Sequence, residues 1–239
     1  MSSVAVERYG GVLLVTIDRA HAANAIDDAV GAGLCGAFAT ATTDAAIQAL
    51  VLTGSGARVF CAGADLKNPA GLLPLALAEK RSATLSAMLD AVLSFTKPFV
   101  AAVNGVAAGA GAMLALLADA VLAADTARFT LPEIEHAMPT PIGLAILKDV
   151  GGSAFAADLV LSGRSMPAAE GERRGLMRCV PAAGLLDAAL AEAEALGSKP
   201  ALAFALNKDW LQRGRRQAIA EATRDAGAYR IRSLAAAEA

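Results

Sequence analysis

An α/β core followed by a helical C-terminal region is the fold class this sequence predicts, and three observations carry it. Short β-branched runs alternate with longer alanine-rich helical runs, the rhythm of strand-helix-strand units. The glycine-rich turns follow strand patterns, where a chain leaves a sheet and needs small residues. Past Pro181 the strand signals stop, and only helical patterns with charges on one face remain. The 239 residues are enough for one large core with a helical appendix. We place the core at residues 1–184 and the helical region at 185–239.

In chain order, Val12 to Ile17 reads as a β-branched strand. Asn24 to Thr43 reads as a helix with Asp27 or Asp28 near its start, and Ile47 to Thr53 as a second strand. A glycine-rich loop runs from Gly54 to Lys67. A helix around Glu79 to Leu93, a strand Phe99 to Val103 and a turn at Asn104-Gly105 follow. Then come a helix from about Ala108 to Ala118 and a strand near Val121. Asp187 to Leu196 and Leu206 to Leu234 are the amphipathic stretches of the C-terminal region.

Composition excludes several function classes. A net charge of −2 and a pI of about 5.7 supply no basic field for a nucleic-acid backbone. Cys35, Cys61 and Cys179 are too few and scattered for a disulfide framework, and no Cys/His cluster has zinc-site spacing, so a reducing cytoplasm is the expected setting. Met1 to Tyr9 shows no basic head followed by an apolar run. The apolar stretch Val106 to Ala124 is broken by Gly109, Gly111 and Asp119, so neither a leader nor a membrane span is expected. With 56% hydrophobic and 18% charged residues, the alanine-rich faces are expected to meet other copies of the chain as well as its own core.

Two turns carry the chemistry. Phe60-Cys61-Ala62-Gly63-Ala64-Asp65-Leu66 is the first, and Asn104 to Gly111, which opens a helix, is the second. Backbone amides exposed in such turns can converge on a developing negative oxygen. Taken singly, small residues there also serve close helix-on-sheet packing. Neither turn has P-loop spacing, and Gly105, Gly109 and Gly111 do not form G-x-G-x-x-G, so nucleotide cradling has little support.

Together these segments resemble the crotonase superfamily of enoyl-CoA hydratases and isomerases. The likeness runs from Arg19 with Ala22-Ala23-Asn24-Ala25, through Phe60 to Leu66 and Lys97-Pro98 to Gly111. It continues past Asp119, Phe129 and Pro132-Glu133 to Leu161-Ser162-Gly163-Arg164 and Gly175-Leu176. The resemblance implies a ββα spiral, a trimerising helical region, and homotrimers or hexamers. It implies an acyl-CoA thioester substrate and no metal or redox cofactor, coenzyme A being part of the substrate. Its oxyanion donors map to the amides of Ala64 and Ala110. Ala110 departs from the usual glycine, and its methyl would narrow the pocket and be strained if that position needed positive φ. The coenzyme would lie along Ala22, Ala23, Ala25, Ala62 and Leu66, with Gly63, Asp65, Gly109, Met113 and Pro132 also lining the substrate. Arg19, Arg58 and Arg230 or Arg232 are candidates for its phosphates.

The acid inventory then selects the reaction. Hydratases of this kind use two glutamates, at the positions of Met113 and Glu133, whereas single-glutamate isomerases resemble this chain. Met113 cannot move a proton. Glu133 alone suffices to carry a proton from C2 to C4 and shift a 3-enoyl to a 2-enoyl thioester. Each amide donor of such a hole is worth about 3–4 kcal/mol of barrier. The alternatives are hydratase-like or other enolate chemistry (decarboxylation, hydrolysis) and a silent acyl-CoA binder. Glu135 and His136 are expected away from the pocket as a partly exposed ion pair. Asp65 and Asp119 are expected as structural, with Asp65 bonding amides in its turn. Cys61 is expected as packing, and His21 either flanks the nucleotide or faces water. Leu72 to Leu77 is expected to be mobile and to border the acyl end.

Overall fold

The computed structural model describes residues 3–67, 71 and 74–237. Strands β1 (Val4–Tyr9) and β2 (Val12–Ile17) form an antiparallel hairpin turning at Gly10. β2 is the expected strand. β1 carries little strand signal because Glu7, Arg8 and Tyr9 are exposed and interrupt the apolar pattern.

The first helix, α1 (Asp28–Thr43), is shorter than the sequence pattern suggests. Ala23 and Asn24 adopt left-handed backbone with φ of 52° and 53°. The helix begins only at Asp27, whose carboxylate accepts the Val30 amide at 2.9 Å. Three strand pairs then follow in succession: β3 (Ala49–Gly54) with β4 (Val59–Cys61), β5 (Phe99–Val103) with β6 (Val106–Ala108), and β7 (Ala120–Ala124) with β8 (Arg128–Thr130). The first pair is followed by α2 (Pro74–Ser94), the second by α3 (Ala110–Leu116) and the third, beyond a 3-10 turn at Pro132–His136, by α4 (Pro141–Gly151). α5 (Ser153–Ser162), β9 (Met166–Pro167), α6 (Ala168–Arg173) and β10 (Arg178–Val180) complete this part, ahead of α7 (Leu185–Gly197) and α8 (Ala201–Ala237).

The result is a ββα spiral whose turns each give one strand to each of two sheets. The larger sheet runs β1-β2-β3-β5-β7-β10 and the smaller β4-β6-β8-β9. Neighbouring strands of successive turns are parallel. Every residue of β5 is buried, the unbroken apolar run of a strand covered on both faces. α3 is likewise buried along its whole length, which holds its first turn fixed inside the protein.

Among the described residues beyond 184 only the helices α7 and α8 occur, and the two behave differently. α7 lies across the larger sheet through Leu185, Ala189 and Ala193, whereas α8 packs on α4 and α2. Lys208 of α8 is buried and donates to Asp119 Oδ2 at 2.6 Å and to the Lys97 carbonyl at 2.9 Å. Asp119 also accepts the Phe99 amide at 2.8 Å, so it is structural as expected.

Asn24 ties the first turn of the site to the sheet. It is fully buried; its Oδ1 accepts the Arg19 amide and the Ser55 hydroxyl, and its Nδ2 donates to the Ser55 and Val59 carbonyls. Asn24→Ala strands these partners and places alanine at a left-handed φ. We expect a loss of about 3 kcal/mol, seen as a fall of roughly 6–12 °C in melting temperature for a chain of this size. A calorimetric scan showing a change of less than 2 °C would remove the residue from this role.

Candidate active site

The two glycine turns meet face to face. Gly63 has a φ of +87° and Gly109 of +50°, conformations side chains rarely adopt. A Cβ on Gly63 would stand 2.8 Å from the Ala108 carbonyl oxygen and 3.3 Å from the Ala110 nitrogen. One on Gly109 would stand 3.0 Å from Glu133 Oε1 and 4.0 Å from the Gly63 Cα. The missing side chains therefore let both turns and the Glu133 carboxylate converge on one point.

Two amides are left free there. The first turn is held by the Ile26 amide on the Gly63 carbonyl and the Asp65 amide on the Ile26 carbonyl, each at 2.8 Å, which skips the Ala64 N–H. Ala110 is the first residue of α3, where a helix leaves its N–H unpaired. Among the described residues neither amide has a protein acceptor. Ala110 is not at positive φ, so replacing glycine there brings no backbone strain. Gly111 packs on Cys61, and burial pushes that thiol up to about 12, which fits a packing residue rather than a nucleophile.

Glu133 reaches this point because β8 ends beside the second turn, with the Gly109 amide on the Thr130 carbonyl at 3.0 Å. Pro132 opens the 3-10 turn, which closes through the Met138 amide on the Glu133 carbonyl at 2.9 Å. Ser233 Oγ of α8 donates to the Ala137 carbonyl at 2.5 Å and braces the far end of the turn. Glu133 Oε2 is buried without a hydrogen-bond partner. Burial raises its pKa above the ordinary carboxylate value, against a smaller opposing pull from a backbone hydrogen bond and from His136.

Met113 is buried one helical turn beyond Gly109. Its Cε, Leu131 Cδ1 and Thr140 Oγ1 would lie 3.1, 3.1 and 2.8 Å from a Cβ on Gly143. It brings a thioether and no carboxylate to this wall. Glu135 turns away, its Oε1 2.9 Å from where a Gly163 Cβ would be. Both it and His136 are exposed, and no ion pair among the described residues joins them, contrary to the expected pair.

The expected coenzyme cradle is partly spent on the protein itself. The carbonyls of Ala22, Ala23 and Ala25 accept from the Ala25 amide, the Ala62 amide and Arg19 Nη1. Ala62 and Leu66 remain exposed beside them. Asp65 accepts the Lys67 amide at 2.9 Å, as expected, and also Arg19 Nη1 at 2.7 Å. Arg19 pairs further with Asp27 at 3.3 Å, so it braces the turn instead of waiting for a phosphate. Arg58, His21 and Arg232 are exposed, and the Arg230 side chain lies outside the described residues. Leu72 and Leu73 also lie outside them, while residues 74–77 begin α2. In the sequence Asn24 stands out only as part of a motif and as a helix start. The signal that it is a hub is its polarity at a fully buried, left-handed position.

The enoyl-CoA hydratase/isomerase family model matches residues 7–231. The chain belongs to that family. It is 39% identical over 221 residues to the 2,3-dehydroadipyl-CoA hydratase of Escherichia coli, covering 92% of this chain and 85% of that protein. A probable enoyl-CoA hydratase of Mycobacterium tuberculosis is 37% identical over the same length, covering 92% and 84%. Among solved structures, a carnitinyl-CoA dehydratase from Mycobacterium avium superposes with a TM-score of 0.84 at 32% identity, covering 96% of this chain and 92% of that one. The fold is thus that of the crotonases, and the protein is a crotonase-type acyl-CoA enzyme. Among the described residues no group of His, Cys, Asp and Glu could hold a metal ion, and no helix is long and apolar enough to cross a membrane.

Burial of Glu133 links its protonation to stability. With a raised pKa in the fold, the native state holds more protons than the unfolded chain between the ordinary carboxylate pKa and the raised one. Stability therefore falls as pH rises through that window. Glu133→Gln should gain on the order of 1 kcal/mol at pH 8, roughly 2–4 °C. That gain should disappear at pH 4 in parallel thermal scans.

Proposed function

We propose that this protein shifts the double bond of a 3-enoyl-CoA to the 2-position through an enolate, with Glu133 as the single base. The thioester oxygen accepts from the amides of Ala64 and Ala110. Glu133 removes a proton from C2, the negative charge moves onto the thioester oxygen held by the two amides, and protonated Glu133 returns the proton at C4 as the double bond moves. Protons and electrons balance without a metal or redox cofactor. The supporting observation is the buried, unpartnered Glu133 Oε2 beside two unpaired amides, with Met113 rather than a second acid on α3. Met113 keeps that wall apolar, which disfavours a bound water.

A hydratase reading draws support from the names of the relatives, which are mostly hydratases or dehydratases. It needs a second group to orient water and move a proton where Met113 stands. The exposed Leu202, Leu206, Trp210 and Leu211 of α8 support self-association, which we assign to a homotrimer or hexamer.

The test is proton NMR in deuterated water with trans-3-hexenoyl-CoA and, separately, crotonyl-CoA. Isomerisation of the first, little hydration of the second, and a loss of about 10²–10⁴-fold in Glu133→Gln are expected. Strong hydration by the native protein would transfer the assignment to a hydratase. Because Glu133 must be ionised to accept the C2 proton, the isomerisation rate should fall with decreasing pH at a midpoint above the ordinary carboxylate range.

A further inference from the structure

Among the described residues, two buried side-chain polar atoms lack a hydrogen-bond partner: Glu133 Oε2 and Arg81 Nε. Buried donors and acceptors are nearly always satisfied, so an orphan calls for a missing partner. The first belongs to the base that faces the substrate. The second sits on a half-buried arginine of α2 that the mechanism does not use.

Arg81 is set apart from the protein's structural arginines. Arg19, Arg164, Arg215 and Arg216 are each spent on carboxylates. The neighbouring Lys80 is spent on Asp28 at 2.6 Å. Among the described residues Arg81 has no ion-pair partner and one hydrogen bond, from Nη2 to the Lys67 carbonyl at a long 3.5 Å. Nε and Nη2 form one edge of the guanidinium, the edge that grips a carboxylate or phosphate with two parallel bonds. Here that edge holds one long contact and one unmet donor.

The position ties this edge to the thioester site. Lys67 follows Ala64 by three residues, so even a fully extended chain keeps it within about 11 Å. The Lys67 amide is folded back onto Asp65 Oδ1 at 2.9 Å, which shortens that span. The guanidinium thus borders the turn that carries one of the two free amides.

We propose that Arg81 is the anion-recognising residue of the acyl-CoA site, pairing through Nε and Nη2 with an oxyanion of the substrate. That oxyanion is either a carboxylate on the acyl group or a phosphate of the coenzyme. The inference rests on the acyl-CoA reading above but not on the isomerase assignment.

The experiment is calorimetric titration with saturated thioesters, which cannot isomerise, so failure of the isomerisation assay leaves it intact. Hexanoyl-CoA and adipoyl-CoA, which differ by a terminal carboxylate, are compared with the corresponding pantetheine thioesters, which lack the nucleotide phosphates. Each is titrated into the native protein, Arg81→Gln and Arg81→Lys, with melting curves confirming that the variants fold. Selective loss of adipoyl binding in Arg81→Gln, about tenfold or more for a charged hydrogen-bonded pair, assigns the acyl carboxylate. Equal loss for both CoA thioesters with the pantetheine thioesters unchanged assigns the phosphate. Arg81→Lys, which keeps the charge without the fork, should recover part of either loss. Equal loss for all four ligands, or no loss for any, overturns the proposal.

Discussion

The site depends on the contact between two turns that have no side chains where they touch. Gly63 and Gly109 approach so closely that a methyl on either would strike backbone or the Glu133 carboxylate. This is why two free amides from distant parts of the spiral lie close together. The sheets make the approach reproducible, since parallel pairing of β4 with β6 and of β6 with β8 brings both turns and the Glu133 segment to one edge. Asn24 clamps the first turn from behind, and wholly buried α3 fixes the second. Catalytic groups held by rigid elements need little reorganisation when charge develops.

Among the described residues the polar interior follows one rule with two exceptions. Lys208 and Asp119 satisfy each other together with backbone groups, Lys97 caps the carbonyls of Ala41, Asp44 and Ile47, and Arg19 joins Asp65 to Asp27. Each satisfies a buried or half-buried charge by pairing it, and each holds the scaffold. Glu133 and Arg81 keep an unmet atom. Such atoms cost stability in the free protein and are tolerated where a ligand supplies the partner.

Much of this was legible in the sequence. Glycine spacing in the two turns marked the amides. The β-branched runs located β2, β3 and β5 within a few residues. What escaped depends on tertiary partners. Asn24 read as helical because its left-handed backbone is held by Ser55 and Val59, more than thirty positions away. Arg19 read as a phosphate ligand because its pairing with Asp65 spans 46 residues. β1 lacked a pattern because its outer half faces solvent. Arg81 is one arginine among many until burial and missing partners distinguish it.

In the proposed reaction the amides of Ala64 and Ala110 polarise a thioester carbonyl placed against Glu133. The most direct measurement is isotope-edited infrared difference spectroscopy of a ¹³C=O-labelled acyl-CoA bound to Glu133→Gln, in which turnover is suppressed. Two such donors should bring the carbonyl stretch clearly below that of the free thioester. A bound thioester whose stretch is unshifted would contradict it.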